Sequence, residues 1–269
     1  MSRVDDMRVK PGSKVQLGDH DPGDRLGWKD KSAALAASEE LEERLRGLVA
    51  KLAATRAKAV LLVLQGMDAA GKDGTTRAAF SQISPTFLRV ATFKAPTSIE
   101  LAHDFLWRVH AVLPERGQVG VFNRSHYEDV LVVRVDNLVP ENVWSRRYDA
   151  INEFERHLVD EGTVIVKCML NLSRDEQAER LRERLQDPTK NWKFSADDLA
   201  KRKQWDDYME AYRVMLEKTS TAWAPWYVVP ADRNSVRNAA VTELLVDTLD
   251  RLGMEWPALD PAVKALTVE

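Results

Sequence analysis

Nine residues, Gly66-Met67-Asp68-Ala69-Ala70-Gly71-Lys72-Asp73-Gly74, bring glycines, one lysine and two carboxylates together in a single short stretch. Glycines let backbone N–H groups turn inward around an anion, a following helix N-terminus adds partial positive charge, and the lysine supplies a full one. The apolar run from Val60 to Gln65 is too short for a helix and reads as a buried strand, and Thr75 to Gln82 reads as a helix. Strand, glycine loop, lysine and helix together are the layout of a phosphate-binding loop. The common pattern has Ser or Thr directly after the lysine, where the hydroxyl ligates magnesium, and here Asp73 takes that place. The strict motif therefore fails, and an ordinary strand-to-helix turn with a surface lysine is the alternative.

Asp68 lies inside the loop. A carboxylate beside bound phosphates costs electrostatic energy unless a cation lies between them. It either points to solvent or holds magnesium, and the metal is the favoured reading. Two further charged clusters follow strand-like runs: Arg124, Glu128 and Asp129 after Gln118–Phe122, and Arg174, Arg180, Arg182 and Arg184 after Leu170. Ligands of open parallel sheets bind beyond the carboxyl ends of the strands, so all three clusters are expected at one edge. Asp129 either ligates a second magnesium or pairs with Arg124. Carboxylates and cations converging on a phosphate loop suggest magnesium and phosphoryl transfer, where positioning and charge neutralisation do most of the work. His126 is given no catalytic role, because a phosphate acceptor is already ionised. Arg174 to Lys203 carries nine Lys/Arg and seven Asp/Glu. Such a run is a solvated, ion-paired face or a mobile arginine lid with Lys190 and Lys193 at its tip.

The elements that must position these groups alternate along the chain. An extended, polar arm is expected over the first 30 or so residues, then a helix from about residue 32 to about residue 57 with Leu41, Leu45, Leu48 and Leu52 in register. Strands are expected at Val60–Gln65, Phe87–Lys94, Gln118–Phe122, Thr163–Leu170 and Trp226–Pro230. Thr97 with Glu100, and Ser173 with Glu176, read as capping boxes, the first opening an amphipathic helix through Leu113. Glu141 to Asp160 reads as one helix, a long helix is expected from about Ala196, and Ser235 to Leu252 reads as the last. Alternating strands and helices indicate an α/β fold, a parallel sheet covered on both faces. With no repeat and no long linker, one domain over 1–269 is the economical reading.

Hydrophobic residues at 44% and charged residues at 30% describe a soluble globular chain. A net charge of -3 leaves no global basic footprint, so nucleic acid is not implied. No apolar stretch approaches a membrane span, and Met1-Ser-Arg-Val-Asp-Asp lacks a signal peptide's apolar region, so a cytoplasmic protein is expected. One cysteine, Cys168, excludes an internal disulfide and reads as a buried, inert thiol.

The loop Gly66–Gly74 and the stretch Phe122-Asn-Arg-Ser-His-Tyr-Glu-Asp-Val-Leu131 resemble the family-2 polyphosphate kinases. So do Trp192-Lys-Phe, Trp205-Asp-Asp-Tyr-Met-Glu-Ala-Tyr212 and Ala224-Pro-Trp-Tyr-Val-Val-Pro-Ala-Asp232, and the likeness runs from about residue 20 to residue 256. The resemblance implies a P-loop kinase fold with a five-stranded sheet and a helical lid over about 173–203. It also implies reversible transfer of the terminal phosphoryl group of inorganic polyphosphate to a nucleotide, with magnesium or alternatively manganese and no ATP donor. On this sequence it implies that Lys72 neutralises phosphates within the binding loop Ala69, Ala70, Gly71, Lys72, Asp73, Gly74 and Thr75. Asp68 and Asp129 would hold metal or orient the nucleotide's phosphates, Arg124 would bind the acceptor, and Arg174, Arg180 and Arg184 are lid candidates. Members restricted to nucleoside diphosphates show Asp where this chain has Asn123 and Asn where it has Glu128. The pair here is similar to the subgroup that uses both AMP and ADP, forming ATP, and the family implies a homo-oligomer. The rivals are an ATP-dependent nucleotide or nucleoside kinase, and a nucleotide-binding switch without turnover.

Overall fold

The computed structural model describes residues 3–264 and residue 266. Its sheet has the order β2-β3-β1-β4-β5, with β1 Ala59–Gln65, β2 Leu88–Thr92, β3 Val119–Asn123, β4 Thr163–Asn171 and β5 Trp226–Pro230, all pairs parallel. β1 is central because every one of its residues is apolar except Gln65 and every one is buried. Leu62 sits between Val121 of β3 and Val166 of β4. Along β1, Val60, Leu62 and Leu64 enter one apolar layer, and Leu61 and Val63 enter the other. This two-sided burial is what turns a strand into a continuous apolar run.

The longer helices are α1 Lys31–Thr55, α2 Lys72–Phe80, α3 Arg147–Asp160, α4 Arg174–Gln186, α5 Ala196–Lys203, α6 Trp205–Thr219 and α7 Asn234–Asp250. α1, α2 and α7 cover the first face of the sheet through Leu45, Val49, Leu52, Phe80 and Leu244. α3 and α6 cover the second through Ile151, Leu158, Tyr212 and Met215. The chain thus leaves β1 toward one face and β3 toward the other, and the carboxyl ends of these neighbouring strands open a crevice.

Four stretches differ from the sequence-based expectation. The helix expected from Thr97 to Leu113 is two single turns, Ser98–Leu101 and Trp107–His110. The Thr97–Glu100 capping box is present, but Asp104 Oδ1 accepts from Leu106 N at 2.9 Å and closes a local turn in place of the helix. The arm is neither wholly extended nor wholly polar: Arg3–Met7 is a helical turn, and Val4, Met7, Val9, Val15 and Trp28 are buried. Met1 and Ser2 of that arm lie outside the described residues. The helix expected from Ala196 bends at Gln204, which ends α5 and begins α6. The Glu141–Asp160 helix divides into Glu141–Trp144 and α3. Among the described residues no helix is long and apolar enough to cross a membrane.

Candidate active site

The crevice beyond β1 and β3 widens into a cleft of about 1020 Å³ whose floor is the loop between β1 and α2. Gly66 leaves the strand at φ +151°, where an added Cβ would stand 2.8 Å from the Leu170 carbonyl, so only glycine fits. Gly71 precedes α2 and gives it no side-chain cap, which leaves the first-turn N–H groups available to an anion. Lys72 is buried, and its Nζ donates to Gly66 O at 2.6 Å and Met67 O at 3.2 Å. Burial, reinforced by nearby Arg124, pushes the Lys72 ammonium down to about 8.

Arg124 follows β3 with φ of 60°, pinned by its N–H to Leu64 O at 3.1 Å. Its guanidinium bridges two acids, Asp68 Oδ1 at 2.5 Å and Glu128 Oε2 at 3.4 Å. Burial opposes that charge, yet Glu128 and Asp68 hold the guanidinium well above its ordinary range. Glu128 is raised by its own burial, against the pull of Arg124 and Lys72. Gln65, with its amide oriented to satisfy both neighbours, donates to Glu128 at 3.0 Å and accepts from Ser125. Tyr208, Tyr212 and Lys201 close a second, much smaller cavity around Asp68, Arg124 and Glu128.

Asp73, at the place of the usual hydroxyl, ties three elements. It accepts from Asn123 Nδ2 at 2.5 Å and from Lys193 Nζ at 3.1 Å, on the turn after α4. Burial raises its carboxyl, but these two donors hold it below the ordinary range. The cleft is lined by nine basic and five acidic side chains. Arg77 and Lys94 are among the basic ones, and neither was singled out from the sequence.

A family model described as Polyphosphate kinase 2 matches residues 28–255. The chain belongs to the polyphosphate kinase 2 family. An AMP/ADP-polyphosphate phosphotransferase of Meiothermus ruber is 50% identical over 263 residues, 97% of this chain and 98% of that relative. An ADP-polyphosphate phosphotransferase of Rhodopseudomonas palustris is 45% identical over 95% of this chain and 92% of its own length. The crystal structure of Polyphosphate Kinase 2 from Arthrobacter aurescens superposes with a TM-score of 0.93 at 45% identity, covering 98% of this chain and 95% of that one. The P-loop kinase-like α/β fold expected from the sequence is the one this polyphosphate kinase 2 family member has.

Within that frame, Asp68, Ala69, Gly71, Lys72, Asp73, Gly74, Asn123, Arg124, Arg180 and Arg184 all line the cleft. Others do not. Asp129 accepts from Arg147 at 2.8 Å and lies 3.7 Å from Arg108. It lines neither the cleft nor the smaller cavity. Neither reading made for it, a magnesium ligand beside Asp68 or a partner of Arg124, matches this placement. Arg174 does not line the cleft either, and its carbonyl accepts from Arg202 at 2.6 Å. Ala70 and Thr75 are fully buried and serve the loop from behind, through the Ala70 carbonyl and the Thr75 hydroxyl. Arg180 faces the cleft but spends its donors on Glu176 and on the carbonyls of Ala69, Ala70, Ala231 and Asp232. Its guanidinium fastens the loop to the segment after β5. Arg184, by contrast, has Asp198 at 3.7 Å as its one ion-pair partner among the described residues. Arg237 was missed altogether, although an arginine amid Val236, Ala239, Ala240 and Val241 was a visible oddity.

Proposed function

We propose that this chain transfers the terminal phosphoryl group of inorganic polyphosphate to AMP and to ADP, yielding ADP and ATP. The observation that carries this reading is the cleft itself: a chain of net charge -3 gathers nine basic against five acidic side chains around one phosphate loop. A cleft with an excess of positive charge concentrates polyanions. The names of the relatives from Meiothermus ruber and Rhodopseudomonas palustris agree with this substrate class.

In the reaction, a terminal phosphate oxygen of the nucleotide attacks the last phosphorus of the polyphosphate. A new P–O bond forms there as the bridging P–O bond breaks, and the chain leaves one phosphate shorter. Lys72 turns from the Gly66 and Met67 carbonyls to the bound phosphates and neutralises them. Arg124 meets the acceptor's phosphate from the carboxyl end of the neighbouring strand β3. Glu128, in its cavity with Tyr208 and Tyr212, buttresses Arg124 through an ion pair at 3.4 Å. Residues from about 173 to 203 act as the lid, with Arg184 and Lys193 lining the cleft.

No group of three or more His, Cys, Asp or Glu that could hold a metal occurs among the described residues. Magnesium fits such a site, because it keeps several waters and takes one carboxylate plus substrate phosphate oxygens. Asp68 would be that carboxylate if its pairing with Arg124 gave way, and manganese is the alternative ion. When bound, the ion screens charge on the transferring group.

The test is to incubate purified protein with magnesium, long-chain polyphosphate and AMP or ADP, without added ATP, and to separate the nucleotides. ATP from both acceptors is expected. ATP from ADP alone would remove AMP as an acceptor, and phosphorylation only when ATP is the donor would replace the reading with an ATP-dependent kinase.

A further inference from the structure

The buried guanidinium of Arg237 stands behind the phosphate loop with no acid to balance it. Its Nε donates to Thr75 Oγ1 at 2.7 Å, and its NH1 group donates to Ala70 O at 3.1 Å and Asn234 Oδ1 at 2.6 Å. The NH2 group donates to Asn238 Oδ1 at 2.9 Å. All four partners are neutral oxygens, and Arg237 forms no ion pair among the described residues. Burial, reinforced by the charge of Arg180, brings its guanidinium down to about 9. A buried cation without a counter-ion is costly unless a ligand supplies one.

The loop is built around this side chain. A Cβ on Gly71 would lie 2.1 Å from the NH1 nitrogen of Arg237. One on Gly74, within α2, would meet only the NH2 nitrogen, at 3.2 Å. Two of the loop's glycines therefore leave room for a guanidinium as well as for a ligand, and through that gap Arg237 lines the cleft.

We propose that Arg237 is a positioning residue for phosphoryl transfer, fixing the loop through Ala70 and Thr75 and holding an uncompensated positive charge against its inner side for the donor's phosphates. The substrate assignment rests on the function proposed above, but the role of Arg237 needs only that the loop bind phosphate.

Two readouts test it in the full chain: equilibrium binding of tripolyphosphate, and kcat and KM with polyphosphate or, should polyphosphate prove inert, with ATP as donor. Displacing a positioned group by about 1 Å costs on the order of 100-fold in rate, and Arg237→Met is expected to lose about that much in kcat/KM for the donor. Arg237→Lys keeps the charge but loses the fork, and is expected to keep part of the tripolyphosphate affinity while losing kcat. KM for the acceptor nucleotide should move by less than about twofold in either variant. Gly74→Ala decides the point where Arg237→Met fails to fold. It replaces a helical glycine, so its melting temperature should hold or rise, yet it presses on Arg237 and should weaken tripolyphosphate binding by roughly three- to tenfold. That loss should vanish when Gly74→Ala is made in an Arg237→Lys or Arg237→Met background, because the pair acts through one contact. Wild-type donor binding and kcat/KM in both Arg237 variants, or an equal Gly74→Ala effect in every background, would overturn the proposal. If the wild type turns over ATP but not polyphosphate, the donor assignment falls, and the same variants still decide on Arg237.

Discussion

Two charged clusters, one inside the protein and one in the cleft, are built on opposite terms. Beneath the second face of the sheet, Lys167 of β4 donates to Glu155 at 2.6 Å, Tyr127 at 2.8 Å and the Thr219 carbonyl at 2.7 Å. Glu155 also accepts from Tyr127 at 2.7 Å and contacts His126 at 3.3 Å. Lys167 and Glu155 are fully buried, and all three ammonium protons are used. In the cleft, Lys72 rests on carbonyls, Arg124 is shared by two acids, and cations outnumber acids. Charges that serve the fold are closed on one another, whereas those that serve a ligand are left with neutral or shared partners. The interior cluster also supports the site, since His126 and Tyr127 share the turn His126–Asp129 with Glu128.

The sharpest way to separate the two is to remove the lysine from each. Lys72→Ala should lower turnover by on the order of 1000-fold, the scale of losing a preorganised charge at a transition state. Its melting temperature should not fall, because the residue is held at a desolvation cost. Wild-type turnover in the nucleotide separation assay would take Lys72 out of the reaction. Lys167→Met should act the other way, costing about 3–5 kcal/mol of stability in urea unfolding by stranding Glu155. Adding Glu155→Leu should recover much of that loss. A Lys167→Met protein as stable as the wild type would show that the interior pair contributes nothing.

Smaller effects refine the contrast within the cleft. Glu128→Asn is expected to weaken AMP use more than ADP use, by about tenfold in the ratio of kcat/KM values, the size of one hydrogen-bonded charge contact. Equal losses on both acceptors would end the assignment of acceptor choice to Glu128. The mildest effect is on pH. Since Lys72 is brought down to about 8, raising the pH through that value strips its proton in the free enzyme. The kcat/KM for polyphosphate should then decline above about pH 8, while kcat should hold to higher pH because bound phosphate stabilises the ammonium. An alkaline limb unchanged in a Lys72→Arg variant that retains activity would assign it to another group.

Much of this was legible because it is local. β5 spans Trp226–Pro230, as read from its apolar run, and β1 and β4 differ from expectation by a residue. Strands buried on both faces leave a pattern that turn residues cannot blur. The phosphate loop was legible for the same reason, since its glycines, lysine and helix are consecutive. What stayed hidden depends on partners far along the chain. Asp129 is claimed by Arg108 and Arg147, and no spacing rule brings those two arginines together. Arg180 carries its charge within the expected lid, yet the carbonyls of Ala69 and Asp232 make it a strut. The expected helix after Thr97 failed for a nearer reason, a single carboxylate at Asp104 capturing a backbone N–H.

Cys168, the one cysteine of the chain, lies fully buried in β4, and burial pushes its thiol far above the ordinary range. The folded protein is therefore nearly silent toward thiol reagents without any engineering of its core. A single cysteine placed at an exposed position of the proposed lid such as Leu185 would carry a fluorophore or spin label alone, so whether that segment moves during turnover can be read in an otherwise native chain.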